Sequence, residues 1–301
     1  MFRRLLTILL LLSLLLAGYF ILDSPTRAKL ASRFALQKLQ GSLPYVGWTD
    51  ILRRALPSWL KEPGPDSRLP PATVKEQDES DCPVLWATPV GEFWGRLADG
   101  RLLDFLVNEQ ERQKTYQRGP VVIRPGDVVL DVGAHLGTFT RIALRDGAAK
   151  IVAFEIEPVS IRCFKKTFRK ELAEGLVVLV EEAAWESSGM LALREDHNNS
   201  AAASVHEVTS ESSGEQVPAT TIDDVVVRLG LEQVDFIKMD IEGAERHAVR
   251  GAARTLSRFA PRLALCIYHK DDDPLVIPQQ VLQIKPDYQV FTTEVAHAFF
   301  Y

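Results

Sequence analysis

"VVLDVGAHLGTFTRIAL", residues Val128 to Leu144, runs from an apolar stretch through an acid and two spaced glycines into a helical pattern. The apolar part reads as a buried strand leaving at Asp131, and "GTFTRIALRDGA" as a helix ended by Gly147. A dinucleotide turn needs G-x-G-x-x-G, whose second glycine lets the backbone touch a pyrophosphate. Counted from Gly133, that position holds His135 and the third holds Thr138, so the pattern fails. No Gly-Lys-Ser/Thr ending follows, which excludes a P-loop. What remains is D-x-G-x-x-x-G, a tight strand-to-helix turn suited to a ligand that lies over the loop without a diphosphate.

Downstream the same alternation repeats. "KIVAFE" is a second buried strand, "PVSIRCFKKTFRKEL" a helix opened by Pro158, and "GLVVLVEEA" a third strand. Residues Glu186 to Gln216 form a polar stretch too long for an ordinary loop, and "GMLALRE" with "EQVPATTI" suggests a hairpin insertion. "VDFIKMD" and "RLALCIYH" resume the buried pattern, and "YQVFTTEVAHAFFY" closes as an antiparallel pair. Such alternation calls for a mainly parallel α/β sheet covered by helices on both faces. Ligands of these sheets sit at the carboxyl ends of the strands. Those ends carry Asp131 to Gly137, Glu155, Glu181 to Trp185, Asp240 to Glu245, and His269.

The first residues are different material. Arg3 and Arg4 precede an uncharged apolar stretch from Leu5 to Leu22, long enough for a membrane span. A retained single-pass anchor over residues 1–23 is expected rather than a cleaved signal peptide, since no A-x-A site follows. Lysines and arginines on both sides lean toward a cytoplasmic catalytic domain. Residues 24–60 read as amphipathic juxtamembrane helices that serve either the membrane interface or the main domain. Residues 61–81 are proline-rich and charged and read as a linker, and the catalytic domain is expected over 82–301. With 301 residues, 46% hydrophobic, the chain can bury a full core, and its formal charge of -5 argues against a nucleic-acid partner. Cys82, Cys163 and Cys266 lack metal-ligand spacing and are read as reduced thiols.

The decisive chemistry lies in "VDFIKMDIEGAERHAVRGA", Val234 to Ala252, where a buried strand ends among Lys238, Asp240, Glu242 and Glu245. Charges brought into a cleft are costly unless they pair or meet a cationic ligand. S-adenosylmethionine carries such a cation, its sulfonium, and Glu155 closes the second strand where an acid accepts bonds from ribose hydroxyls. At this point the chain resembles the FkbM family of S-adenosylmethionine-dependent methyltransferases, which O-methylate on a class I Rossmann-like sheet. The matching pieces are "PGDVVLDVGAHLGTFT", "VAFEIEP", "TTIDDVV", "IKMDIEGAE" and "CIYHK" followed by "IP". Ile156 departs from the proline that family members often place after the acid.

The resemblance implies that Asp131, Gly133, His135 and Gly137 form the turn under the methionine part of the cofactor. It makes Glu155 the ribose acid, Glu181 to Ala184 the adenine wall with Glu182 in contact, and Asp240 the neighbour of the methyl group. An acceptor hydroxyl needs a base or a metal. Asp240 and His269 are the candidate bases, and Lys238 is taken as a catalytic helper that orients an acid or binds the acceptor. Glu242 and Glu245 are assigned to the substrate side, with pairing to His269 or Lys238 as the structural alternative. The site is read without a metal, although a divalent ion on Asp240, Glu242 and His269 is the minority alternative. The expected activity is O-methylation of a glycan, lipid-linked sugar or small metabolite. The alternative is a membrane-tethered cofactor-binding interaction module without catalysis.

Overall fold

Alternate residues of a strand face opposite sides of its sheet, and the two large cores of this chain follow that rule. Val129, Ile151, Ala153, Val177, Phe236 and Ala264 enter one core. Their neighbours Val128, Leu130, Val132, Val152, Phe154 and Ile237 enter the other. Strands buried on both faces need helices on both faces, which the near-continuous apolar runs announced. The computed structural model describes residues 25–55, 68–194, 203–207, 215–293 and 296–301.

Among the described residues two helices come first, α1 (Pro25–Leu39) and α2 (Trp48–Ala55). They share a small core of Ala31, Phe34, Leu43, Val46 and Ile51 against which Leu275 packs. The Tyr45 hydroxyl donates to the Pro274 carbonyl at 2.9 Å. Of the two roles open to this segment, packing on the main domain is the one observed. The apolar stretch Leu5 to Leu22 lies outside the described residues, and no helix among the described residues is long and apolar enough to cross a membrane.

A three-stranded antiparallel sheet follows, β1 (Thr73–Gln77), β2 (Val84–Thr88) and β3 (Gly91–Gly95). Its first strand falls within the segment expected to be linker. Every residue of β1 is exposed, so its order comes from backbone pairing with β2 rather than from side-chain burial. Helix α3 (Asp99–Val107) then runs into a π-helical turn, Asn108–Arg112.

The main sheet has seven strands. They are β4 (Val128–Val132), β5 (Lys150–Phe154), β6 (Val177–Val180), β11 (Phe236–Met239), β12 (Arg262–Cys266), β13 (Val290–Thr293) and β14 (His297–Phe300). Their order is β13-β14-β12-β11-β4-β5-β6. The strands from β6 to β12 are parallel, while β14 runs antiparallel to β12 and β13 to β14. Helix α4 (Thr138–Arg145) links β4 to β5, and α5 (Pro158–Thr167) with α6 (Arg169–Ala173) links β5 to β6. Glu157 caps α5 by accepting from the amides of Val159 and Ser160.

The expected insertion is present as β7 (Ala183–Ala184), β8 (Gly189–Arg194), β9 (Ser204–Glu207) and β10 (Gln216–Thr220), in the order β7-β10-β8-β9. Helix α7 (Ile222–Arg228) returns the chain to β11. Helices α8 (Glu245–Arg250) and α9 (Ala253–Phe259) lead to β12, and α10 (Asp273–Ile284) leads to β13. The strand order reverses between β4 and β11, and that crevice is where a ligand of an open α/β sheet binds.

The cysteine reading needs correction. Cys82 and Cys163 form a disulfide with their Cα atoms 5.4 Å apart, which ties the three-stranded sheet to α5. The partners lie 81 residues apart in sequence, so spacing gave no sign of them. Cys266 is a buried free thiol.

Candidate active site

Lys238 and Asp131 occupy directly opposed positions on β11 and β4. The ammonium lies 3.1 Å from the Asp131 carboxylate, and both side chains are almost wholly buried. Burial pushes Lys238 down, but Asp131 and Asp240 outweigh it and hold the lysine above its ordinary range. Lys238 also donates to the Gly133 carbonyl, and Thr140 donates to Asp131 at 2.7 Å. This ion pair braces the glycine turn from beneath.

The first glycine of the turn leaves no room for a side chain. Gly133 has φ +83°, and a Cβ there would stand 1.9 Å from the Asp240 carbonyl. His135 adopts φ 52°, a left-handed conformation that a non-glycine residue enters at a cost. That conformation directs its amide to Glu155 Oε2 at 2.6 Å. Glu155 Oε1 accepts from the amides of Ile156 and Glu157, each at 2.8 Å. Burial raises the Glu155 carboxyl against the pull of these amides. Burial also lowers the His135 imidazole to about 4, so it is neutral.

A cleft of about 530 Å³ opens between these strand ends. Gly133, His135 and Glu155 form one wall, and Glu182, Ala183 and Ala184 form the next, with Ala203 and Val205 from the insertion. Asp240 and Glu242 close the far end. Asp240 Oδ2 accepts from Tyr116 at 2.6 Å. Burial pushes Asp240 up, but Lys238, His269 and the Tyr116 bond overcome it and leave the carboxyl below its usual range.

His269 organises the end of β12. Its Nδ1 lies 2.9 Å from Glu245 Oε1, and its Nε2 lies 3.5 Å from both Asp240 Oδ1 and Glu242 Oε2. Burial disfavours its charge, yet Glu242, Glu245 and Asp240 raise it to about 10. An imidazolium held this way does not accept a proton at neutral pH. Glu109, on the π-helical turn, is the contrasting group. Burial and the Asp240 charge raise it to about 7, with Lys238 opposing.

A family model for the methyltransferase FkbM domain matches residues 131–285, more than half of the chain. The chain belongs to the FkbM methyltransferase family. It is 27% identical over 175 residues to the 31-O-demethyl-FK506 methyltransferase FkbM of Streptomyces tacrolimicus, covering 49% of this chain and 67% of that protein. A crystal structure of an FkbM methyltransferase from Methylobacillus flagellatus is similar at 20% identity and a TM-score of 0.47. That match covers 69% of this chain and 56% of the other, so the chain spans little more than half of it. Aeropyrum pernix fibrillarin, crystallised with S-adenosyl-L-methionine, is similar at 11% identity and a TM-score of 0.38, over 77% of this chain and 98% of that one.

Within this FkbM-type domain the anticipated residues divide into two groups. Gly133, His135, Glu155, Glu182, Asp240 and Glu242 line the cleft. Asp131, Gly137, Lys238, Glu245 and His269 are not among the lining residues; they support it from behind. A Cβ on Gly137 would meet the Phe168 ring at 2.2 Å. Of the two helper roles given to Lys238, binding the acceptor fails for lack of access, because its charge is committed to Asp131 and the turn carbonyls, while orienting an acid fits that pair. Glu245 is fully buried and accepts from the Ile241 amide at 2.9 Å, so it faces His269 and not a substrate. The carboxylate of Glu182 pairs with Arg228. Trp185 is buried and stacked on His247 with ring centroids 3.7 Å apart, whereas Tyr268 stays partly exposed beside His269. Glu109 and Tyr116 were missed, because the polar run "NEQER" looks like a solvated helix face.

Proposed function

We propose that this FkbM-family methyltransferase takes S-adenosylmethionine as cofactor and methylates a hydroxyl of a glycan, lipid-linked sugar or small metabolite. The observation that carries the reading is Glu155, fixed by three backbone amides at the end of β5 and facing a cleft with Asp240 at its far side. Its carboxylate suits a pair of ribose hydroxyls. Ala183, Ala184 and Val205 offer an apolar wall for a purine. Asp240, held ionised by Lys238 and Tyr116, suits the positive end of the ligand. His135 and the closed Gly133 turn crowd out a diphosphate.

When bound, S-adenosylmethionine supplies an electrophilic methyl group. The chain's own task is to align an acceptor oxygen and take its proton. Asp240 and His269 are poorly placed to accept that proton, one being a weak base and the other already protonated. Glu109, raised to about 7 by burial and the Asp240 charge although it is not among the residues that line the cleft, is the remaining candidate acceptor. The O-methyl chemistry in the name of the Streptomyces relative supports a hydroxyl acceptor.

The stretch Leu5 to Leu22 belongs to this reading as a single-pass anchor. The Cys82–Cys163 disulfide speaks for an oxidising side of that membrane, against the cytoplasmic side favoured by the lysine and arginine count. Thiol labelling of the chain in intact cells, with and without reductant, decides between the two sides.

The central test is label transfer from methyl-labelled cofactor into extracted lipids, glycans and small metabolites, comparing the native chain with Asp240→Ala. Transfer by the native chain and none by the variant is expected. Full turnover by Asp240→Ala overturns the assignment of Asp240, and binding of a nicotinamide nucleotide in place of S-adenosylhomocysteine overturns the cofactor.

A further inference from the structure

We propose that Asp240, Glu242 and His269 form a divalent-cation site of the Mn²⁺ class at the mouth of the cleft, with Glu245 orienting the imidazole. One ligand atom from each of the three lies within 4.8 Å of the other two. This deepens the methyltransferase reading and rests on it for its purpose, though not for its geometry.

The imidazole carries the argument. Its side chain is only 9% exposed, yet neither ring nitrogen makes a hydrogen bond of acceptable geometry. With Nδ1 facing Glu245 at 2.9 Å, Nε2 is the buried nitrogen still short of a well-formed partner. Nδ1 is pinned by Glu245, which is 1% exposed and is itself anchored by the Ile241 amide. A carboxylate behind a histidine in this way fixes the tautomer and turns the other nitrogen outward as a metal ligand. The outward nitrogen, Nε2, stands 3.5 Å from a carboxylate oxygen on each side. That is the outer limit for a hydrogen bond. An octahedral ion with ligands at about 2.1 Å holds those ligands roughly 3.0 to 4.2 Å apart, and the two 3.5 Å spacings from Nε2 fall inside that window.

The remaining donors are already arranged. Tyr116 occupies Asp240 Oδ2, while Oδ1 lies toward His269 and accepts from the Tyr268 hydroxyl only at 3.5 Å. Glu242 holds its carboxylate there from a backbone with φ 54°. Three carboxylates around one imidazole leave an excess of negative charge that a doubly charged ion neutralises, taking the place of the ring proton. Two hard oxygens and one nitrogen suit Mn²⁺ better than an all-oxygen ion or a thiolate-seeking one. Because Asp240 and Glu242 also line the cleft, an ion here would take an acceptor hydroxyl as a further ligand and acidify it.

Electron paramagnetic resonance of Mn²⁺ titrated into the full chain, stripped beforehand with a chelator, reads this directly, because bound ion loses the six-line signal of the free ion. One Mn²⁺ per chain is expected. His269→Ala and Glu242→Gln should each weaken binding at least tenfold, and Glu245→Gln about 10- to 100-fold. Glu242 is partly exposed, so Glu242→Gln tests the site even if His269→Ala fails to fold. Absence of a bound ion, or binding unchanged in Glu242→Gln, overturns the proposal. S-adenosylhomocysteine binding, measured by calorimetry on the stripped chain, separates the two readings. Nucleoside binding without Mn²⁺ sinks the metal site alone, and Mn²⁺ binding without the nucleoside sinks the cofactor reading alone.

Discussion

The two walls of the cleft are built by different means. At the ends of β4 and β5 the work is done by backbone: a glycine with no space for a Cβ, a left-handed histidine, and three amides gripping one carboxylate. At the ends of β11 and β12 it is done by side chains: Asp240, Glu242, Glu245 and His269 in mutual electrostatic contact, with Tyr116 reaching in from a segment 124 residues away. The first wall fixes shape and the second fixes charge. A backbone wall tolerates almost no substitution, whereas a side-chain wall can be retuned one group at a time.

Gly133→Ala attacks the backbone wall where it is tightest. The new Cβ meets the Asp240 carbonyl from a φ of +83°. Overpacking and left-handed strain together cost about 3 kcal/mol or more. Thermal unfolding should show a midpoint lower by roughly 10 °C, and cofactor binding by calorimetry should vanish. An unchanged midpoint would mean that the turn yields, and the comparison would break.

Glu109→Gln changes the charge that acts on Asp240 in the side-chain wall. A proton acceptor works in its ionised form, so activity of the native chain should climb as pH rises through about 7. The variant should lose about 10²-fold or more in kcat and the climb with it. The same carboxyl sets a stability trend of the opposite sign. Its folded value lies above its ordinary 4.5, so the folded state gives up stability as pH rises from about 4.5 to 7. Denaturant titrations across that window should show the loss in the native chain and less of it in Glu109→Gln. A pH profile shared by both proteins removes Glu109 from the chemistry.

Glu155→Gln, which keeps an oxygen for the backbone amides that grip this side chain, should weaken S-adenosylhomocysteine binding about 10- to 100-fold, the loss expected for charge-assisted hydrogen bonds. Calorimetry checks it, and retention of native affinity would take the ribose role from this acid. Glu182→Ala should matter least. Its carboxylate pairs with an arginine that is half exposed, a contact worth about 0 to 1 kcal/mol, so affinity should shift by less than about fivefold. A larger loss would sharpen the picture by giving Glu182 direct contact with the ligand.

The sheet was legible because its strands are buried on both faces, and runs such as "VVLDV" and "FIKM" leave little else to form. The backbone wall was legible for the same local reason, since turn, acid and spacing lie within one β-α-β unit. The charge wall was legible only in part. Asp240, Glu242 and His269 stand at strand ends and could be named, but Glu245 and Lys238 were given access that burial denies them. Glu109 and Tyr116 come from a polar segment whose place over the sheet is set by tertiary packing alone. The strand Thr73–Gln77 was hidden for a related reason: pairing with a neighbour orders a polar segment that composition marks as unstructured.

The bond between Cys82 and Cys163 turns the intervening chain into a covalent ring. That ring contains Asp131, the glycine turn and Glu155, so most of the backbone wall is a cyclic piece of protein. Closing a loop of this length removes about 4.5 kcal/mol of chain entropy from the unfolded ensemble. The pieces of that wall therefore stay tethered within one closed loop when the domain unfolds, and they have less conformational freedom to recover on refolding.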